Sequence, residues 1–171
     1  SGEIDLLVSV SYTEERAKKF EFTQDPIATD WGFLYRRKDS NIESVNDLKG
    51  KKVSCLKSGI YTPLLKNILM GFDVQVEYID RDNYSQIIED VESGKSDVGV
   101  GSNLASMSLE TPNNVTRSVI VFAPVKVLFA TKKGKRAELI SAINKHVQSL
   151  KSNQNSNYYL FQSKWLGDQS K

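Results

Sequence analysis

The segment Lys57–Thr62 is the clearest place for chemistry in the sequence, because it is a glycine-containing loop that leads into a helix. Thr62 followed by Pro63 predicts the helix start, since proline is well tolerated at the first helical position. Free backbone amides at such a start can bind an anion, and Gly59 would give the loop the freedom to turn. A plain strand-to-helix turn capped by Thr62 explains the residues equally well. The candidate ligand residues of this loop are Lys57, Gly59, Ile60, Tyr61 and Thr62.

Groups that could carry out catalysis are few and far apart in the sequence. His146, the one histidine, lies in a polar stretch of a late helix, distant from Cys55, the one cysteine. No nucleophile and base pair is therefore indicated. Cys55 lacks a partner for a disulfide or a metal site and is typical of a small buried residue. Adjacent acids such as Glu14 and Glu15 are better explained as helix-start residues. The sequence predicts a protein that is not an enzyme and uses no metal or cofactor.

Composition and charge remove two further classes of protein. The net charge is +2, and the 23 Lys and Arg residues are interspersed with 21 Asp and Glu residues, so no basic stripe is available for nucleic acid. No apolar window is long enough to cross a bilayer, and no signal peptide is recognisable at the start. A chain nearly free of thiols is compatible with an oxidising compartment.

Strand, loop and helix patterns alternate along the first two thirds of the chain and predict an α/β fold. EIDLLVSV indicates a buried strand of a parallel sheet, followed by a helix capped by Thr13. WGFLYRRKD, KKVSCL, FDVQVEYI and SDVGVGS are also strand-like, and Asp82 is the expected cap of the helix NYSQIIEDVES. In open sheets of this type, ligands bind at the carboxyl ends of the strands.

The last third of the chain predicts two strands and a long helix. NVTRSVIVFAP and VKVLFATKKG are strand-like pieces on either side of Pro124. RAELISAINKHVQSLK places its apolar residues at helical spacing. The aromatic tail NSNYYLFQSKWLG indicates a short final helix.

Four of these pieces, in the same order, resemble the family 3 bacterial solute-binding proteins, which are venus-flytrap domains. The pieces are GEIDLLVSVSYTEERAKKFEFTQDP, LKGKKVSCLKSG, SGKSDVGVGS and the KWLG ending. The resemblance implies an α/β, two-lobed periplasmic-binding-protein-like (type II) fold with two hinge crossover strands, near Trp31–Lys38 and Ile120–Ala130. Residues 1–34 and 125–171 would form the first lobe and residues 35–124 the second. The first lobe would be incomplete, since the family has further units ahead of this segment.

The same resemblance implies roles for individual residues. Arg16 stands where the family places the arginine that binds a ligand carboxylate, a task that suits the paired donors of a guanidinium. A solvated arginine paired with a nearby glutamate is the alternative. Ser9 and Ser11 fall where backbone and hydroxyl groups surround the ligand, or they only cap a loop. The amides before Thr62 would then hold the ligand from the other lobe.

Four aromatic or polar positions would shape this site, and two of them, Ser102 and Tyr61, differ from the family pattern. Ser102 replaces the aspartate that usually pairs with the ligand ammonium, which argues against an ordinary amino-acid receptor. Tyr61 is bulkier than is usual there and indicates an altered pocket. Trp31 and Tyr35 would supply aromatic walls, or would only be packed in a crossover strand.

The resemblance extends more closely to the extracytoplasmic sensor domains of bacterial histidine kinases and diguanylate cyclases, on DWGFLYRRKDS, DNY and the ending from His146 onwards. We therefore expect a sensor domain of a membrane signalling protein, on the periplasmic or extracellular face of the cytoplasmic membrane. It would bind a small anionic or carboxylate solute between its lobes. Its parent would be membrane-anchored, and the segment after Trp165 would pass ligand closure on towards the membrane. The alternatives are a solute receptor of an ABC importer and a ligand-free contact or dimerisation domain. A homodimer is compatible with any of these.

Overall fold

A computed structural model describes residues 4–166 of the chain, which divide into two compact units. The first unit contains the described residues up to Thr29 and from Val125 onwards, and the second runs from Asp30 to Pro124. The strands are β1 (Leu7–Ser11), β2 (Phe20–Phe22), β3 (Ala28–Arg37), β4 (Lys52–Leu56), β5 (Glu77–Arg81), β6 (Val98–Ser102) and β7 (Val115–Lys132). The helices are α1 (Glu14–Ala17), α2 (Tyr61–Gly71), α3 (Tyr84–Glu92), α4 (Asn103–Ser106), α5 (Ala137–Lys151) and α6 (Asn157–Leu166), with one 3₁₀ turn at Val45–Leu48.

The second unit is built on a mixed sheet. β4 runs parallel to both β5 and β6, while β3 pairs with β6 in the antiparallel direction, with Gly32 opposite Ser102. The first part of β7 lies next to β3 in the sheet. Just beyond the end of β3, the Lys38 amide donates to the Asn114 carbonyl, the residue before β7, at 2.9 Å. Because β6 has a neighbour on each side, all five of its residues are buried. The parallel strands β4 and β6 end at Leu56 and Ser102, where the sequence predicts ligand-binding loops.

Helix α3 covers one face of this sheet. Its buried residues Ile87, Ile88 and Val91 recur at helical spacing, and a Cβ placed on Gly99 of β6 would lie 2.4 Å from Ile87 Cγ2. Helix and strand therefore approach each other so closely that only glycine fits at this position. Gly94, with φ +77°, ends the helical segment as the sequence predicted.

The first unit is organised around the second part of β7. β1 and β2 both pair with it in the antiparallel direction, β1 opposite Val127–Ala130 and β2 opposite Ala130–Lys132. The long amphipathic helix predicted in the last third of the chain is confirmed as α5, whose Ile140 and Val147 are buried. The tail helix is also present as α6, although residues 167–171, with the end of the KWLG motif, lie outside the described residues.

Three local predictions were wrong. β1 is antiparallel and not buried, and Val8 is 61% exposed, because its described pairing is with β7 alone. The cap of α3 is Asn83, whose side chain accepts from the Gln86 amide at 3.0 Å, and not Asp82. The two strands expected around Pro124 form one continuous strand, β7. No described helix is both long enough and apolar enough to span a membrane.

Candidate functional site

Arg16 lies in the first unit on the short helix α1. Thr13 caps this helix as predicted, because its hydroxyl accepts from the Arg16 amide at 3.1 Å. The half-buried Arg16 side chain turns back along the chain, and its Nη1 donates to the carbonyl oxygen of Ser11 at 3.0 Å. Among residues 4–166, no carboxylate lies within ion-pair distance of the guanidinium. The alternative of a glutamate partner is therefore not observed.

The two serines before Arg16 differ in conformation. Ser9 is exposed and has φ +60°, in the left-handed region that residues other than glycine rarely adopt. It lies where the pairing of β1 with β7 shifts register, between Leu7 and Val10. Ser11 is half-buried and contributes its carbonyl to Arg16. Backbone strain of this kind is found at ligand sites more often than elsewhere, and a role for either hydroxyl stays a prediction.

The loop after β4 lies in the second unit at the carboxyl end of that strand. Lys57 is exposed, and its amide donates to the Arg81 carbonyl at 2.9 Å. The amide of Gly59 donates to the Leu56 carbonyl at 3.2 Å. A Cβ on Gly59 would lie 2.7 Å from Leu56 Cβ, so the glycine is required for close approach and not for a positive φ. The half-buried Ile60 follows at the start of α2.

Thr62 does not cap the helix. α2 begins one residue earlier, at Tyr61, and its N-cap Ile60 supplies no side-chain hydrogen bond. The buried Thr62 hydroxyl instead donates to the Leu56 carbonyl at 2.9 Å. Leu56 is the last residue of β4, and the loop that follows brings Thr62 back to its carbonyl. The amides of the first turn of α2 have no partner within the helix by their position. The helix therefore starts one residue nearer the loop than the sequence predicted, and the binding of an anion there stays a prediction.

Tyr61 is a buried residue rather than an open pocket wall. Its ring is 3% exposed and meets Phe122 edge-on with centroids 6.1 Å apart. A Cβ on Gly32 would lie 2.7 Å from the Phe122 ring and 2.8 Å from Tyr61 Cδ1, so the two rings fill the space above that glycine. Among the described residues, the buried Tyr61 hydroxyl has no partner with hydrogen-bond geometry. Burial raises the pKa of Tyr61, and the nearby Asp30 carboxylate raises it further.

Trp31 and Tyr35, the two aromatic residues of β3 that the sequence analysis selected, have different surroundings. Trp31 is half-buried, and its role as a wall of the site stays a prediction. Tyr35 is 1% exposed and packs edge-on against Phe33 with centroids 4.7 Å apart, in a cluster with Ile88 and Val91. Tyr35 is thus part of the core, which agrees with the alternative that it is only packed in the crossover strand.

Ser102 joins two elements through its hydroxyl. The buried Ser102 Oγ accepts from the Ala105 amide at 3.2 Å, which caps α4, and donates to Asp30 Oδ2 at 2.7 Å. The other oxygen of Asp30 accepts from the Leu104 amide at 2.9 Å. Sequence reasoning did not select Asp30. The one sequence signal for it was its place as a single acidic residue directly before the apolar strand pattern WGFLY.

The remaining groups considered for catalysis are not brought together. Cys55 is buried, 3.7 Å from Asp80 Oδ1, and burial raises the pKa of its thiol, so it is a poor nucleophile at neutral pH. His146 is exposed, as predicted, in the first unit. Among residues 4–166, no three His, Cys, Asp or Glu side chains are grouped so that they could hold a metal ion.

Comparison with known proteins gives these residues their context. L-cystine-binding protein TcyJ of Escherichia coli K12 is 26% identical over 171 residues, covering 98% of this chain, which spans 62% of that protein. The structure of an ancestral arginine-binding protein bound to glutamine matches with TM-score 0.78 and 28% identity, over 98% of this chain and 73% of that one.

A third likeness is to the amino acid ABC transporter substrate-binding protein AbpA of Streptococcus pneumoniae, whose structure is bound to L-arginine. It matches with TM-score 0.74 and 29% identity, over 88% of this chain and 64% of that one. These likenesses confirm the expected α/β fold of type II periplasmic binding proteins. The model of the bacterial extracellular solute-binding proteins, family 3, matches residues 1–168, and the chain belongs to that family.

Proposed function

We propose that this chain is an extracytoplasmic receptor for a small carboxylate solute, of the kind that supplies an ABC importer, and that it catalyses no reaction. The proteins it resembles are named for binding L-cystine and arginine, and AbpA is named as the substrate-binding protein of an amino acid ABC transporter. These names favour the transport receptor over the sensor domain expected from the sequence. No feature of the described residues favours a purely structural contact domain.

The proposal rests mainly on Arg16, whose side chain is held in position but has no acidic partner among the described residues. A guanidinium has five N–H donors, and one hydrogen bond, to the Ser11 carbonyl, holds this side chain in place. No carboxylate of residues 4–166 neutralises it. A half-buried, positioned guanidinium without an acidic partner is suited to bind a carboxylate through two parallel hydrogen bonds. We assign Arg16 that role, with Ser9 and Ser11 beside it.

A second group of donors in the other unit supports the same solute chemistry. The first turn of α2 offers the amides of Tyr61 and Thr62 without a side-chain cap. The helix has 11 residues, so its aligned peptide dipoles give this end a partial positive charge. The proposed ligand residues here are those of the loop and the helix start, Lys57, Gly59, Ile60, Tyr61 and Thr62, and Trp31 is proposed as an aromatic contact.

Calorimetric titration of the intact protein with arginine, glutamine and cystine tests the proposal. We expect at least one of these solutes to bind, and Arg16→Ala to weaken that binding by roughly 30-fold or more, because it removes one partner of a charge pair. Lys18→Ala is the matched control, since it removes an exposed positive charge two residues away. Equal binding by Arg16→Ala and the unaltered protein would refute the assignment.

A further inference from the structure

The end of β7 and the turn after it concentrate positive charge in the first unit. The segment KKGKR, residues 132–136, contains four cations and no acid in five residues. All four of these side chains are exposed. Gly134, with φ +71°, supplies the left-handed residue that the turn requires. On its own a charge run of this length is a solvated loop, so its importance depends on what the fold places beside it.

The fold brings Lys19 to this turn from near the start of the chain. β2 begins at Phe20, which lies opposite Lys132. The amide of Lys133 donates to the Lys19 carbonyl at 3.1 Å, and its Nζ donates to the Ala17 carbonyl, also at 3.1 Å. The exposed Lys19 is therefore the neighbour of the basic turn. We call the five cations of this region the basic patch, which consists of Lys19, Lys132, Lys133, Lys135 and Arg136.

The protein neutralises one member of the basic patch. Asp5 accepts from Nε and Nη2 of Arg136 at 2.9 and 2.7 Å. These hydrogen bonds raise the pKa of Arg136, and the charge of Glu138 adds to the effect. Within residues 4–166, no carboxylate lies within ion-pair distance of the four lysines of the patch. Their positive charges are thus available to a partner.

The five cations line a single cavity of about 1090 Å³, together with apolar side chains. The apolar lining includes Leu7 and Phe20, and also Ile4, which is 66% exposed. Pockets for small solutes have volumes of roughly 300–1,000 Å³ and contain only a few polar groups. A larger cavity lined by five cations is better suited to an extended anionic partner than to one small solute.

The predominance of lysine favours a lipid surface over an acidic protein as that partner. Protein interfaces are depleted in lysine and enriched in arginine, whose planar guanidinium binds a carboxylate through two hydrogen bonds. The one arginine of the patch is already bound to Asp5. Lysines are point charges on flexible stems, so they suit an array of anions without fixed geometry, such as the headgroups of a bilayer. An exposed apolar side chain beside them, here Ile4, can enter the interface.

We propose that the basic patch docks this protein on the surface of an anionic phospholipid membrane. The proposal goes beyond solute binding, since no residue of the patch is among the proposed ligand residues. The attraction comes from the four lysines without an acidic partner in the described range, and Ile4 adds an apolar contact. For a receptor that supplies an importer, docking raises its local concentration beside the transporter.

Sedimentation of the intact protein with lipid vesicles gives the first test. One set of vesicles contains phosphatidylcholine alone, and the other contains an equal mixture of phosphatidylcholine and phosphatidylglycerol. Each basic residue near an anionic surface strengthens binding about five-fold. We therefore expect a preference of at least roughly 100-fold for the mixed vesicles at low ionic strength. The preference should disappear near 1 M salt, where charges are screened beyond about 3 Å.

Combined replacement of three lysines of the patch by alanine gives the second test. Lys19, Lys132 and Lys135 are chosen because they are exposed, so we expect the fold to persist, as circular dichroism would show. Binding to the mixed vesicles should weaken by about 100-fold. Calorimetric titration with arginine, glutamine and cystine should give the same result as for the unaltered protein. If the triple variant does not fold, the three single variants decide, each with an expected loss of about five-fold.

The matched control removes three exposed lysines that lie apart from the patch, namely Lys38, Lys49 and Lys145. Its net charge changes by the same amount, so it should retain most of the binding to the mixed vesicles. An equal loss in both triple variants would mean that net charge alone acts, and the basic patch would have no special role.

Two soluble anions, inorganic phosphate and poly-L-glutamate, distinguish the lipid surface from other partners. Each competes with the mixed vesicles at an equal concentration of negative charge, and we expect neither to displace the protein. Displacement by phosphate would assign the patch to a free anion, and displacement by poly-L-glutamate would assign it to an acidic protein. Either result, or equal binding to both kinds of vesicle, would overturn the membrane proposal. Failure of all three solutes to bind, with the vesicle preference retained, would refute only the receptor function.

Discussion

β6 in the second unit and β1 in the first are both five-residue strands rich in valine, yet they differ completely in burial. All five residues of β6 are buried, whereas none of the residues of β1 is. β6 has hydrogen-bonded neighbours on both sides and α3 packed on its face, while the described partner of β1 is β7. An apolar run in the sequence therefore indicates a strand, but the number of neighbours determines its burial.

The glycines of β6 are the sequence feature that distinguishes it. Gly99 lies under α3, and a Cβ on Gly101 would lie 2.6 Å from Phe33 Cζ and 2.9 Å from Tyr35 Cε2. Each glycine thus allows a large side chain from a neighbouring element to contact the strand backbone. β1 contains no glycine. Glycine at alternate positions of a strand pattern can indicate close packing on one face.

The largest effect is expected from Gly99→Ala. The new methyl group would lie 2.4 Å from Ile87 Cγ2 and 3.0 Å from Val91 Cγ2, so α3 must shift away from the sheet. We expect the free energy of unfolding to fall by about 3 kcal/mol, measured by urea denaturation. Gly71→Ala, at the end of α2 with no atom within 4 Å of the added Cβ, is the control and should not destabilise the protein. Equal stability of both variants would contradict the close packing of β6.

Asp90→Asn should have the next largest effect, because it weakens a buried network between α3, β4 and β5. Asp90 accepts from the Ser54 hydroxyl and from Arg81 Nη2, the latter at 3.1 Å. We expect a loss of about 2 kcal/mol at neutral pH. Urea denaturation of both proteins at several pH values would measure it.

The pH dependence of that loss follows from the charge of Asp90. Burial acts to raise its pKa, but the hydrogen bonds and charge of Arg81, with the Ser54 bond, outweigh burial and hold the pKa below its ordinary value of 3.8. A depressed carboxyl pKa in the folded state contributes stability above the unfolded pKa, and this contribution is lost as the pH falls through the folded pKa. The difference between the two proteins should therefore be constant above pH 5 or so and shrink below about pH 3.8. A difference that grows in acid would disprove the assignment.

The smallest effect is expected from Val8→Thr in β1. Val8 is 61% exposed, so the added hydroxyl stays in water and the strand propensity is kept. We expect the free energy of unfolding of the 171-residue chain to change by less than about 0.5 kcal/mol. Urea denaturation again provides the measurement. A loss as large as that of Asp90→Asn would mean that β1 is buried like β6, and the comparison would fail.

The local elements of the fold could be predicted where a single segment contains the whole signal. The face of α5, the Thr13 cap and the stop at Gly94 are of this kind. Where two residues competed, the sequence did not decide between them. Asn83 caps α3 in place of Asp82, whose own amide donates to Gln86 Oε1 at 3.1 Å.

The candidate site was predicted less completely, because its contacts are distant in sequence. Thr62 was expected to cap a helix, and only the folded position of the Leu56 carbonyl explains its different bond. The link from Ser102 to Asp30 spans 72 positions. No periodicity or spacing rule indicates such a pair, so this contact is visible only in three dimensions.

The space above Gly32 has a consequence for engineering this protein. Because the Tyr61 and Phe122 rings occupy the volume that any side chain at position 32 would need, the three positions cannot be varied independently. A library that alters position 32 alone would yield mainly misfolded proteins. Paired replacement, with a smaller residue at 61 or 122 for each larger one at 32, would keep the same volume filled and so preserve the packing between β3, α2 and β7.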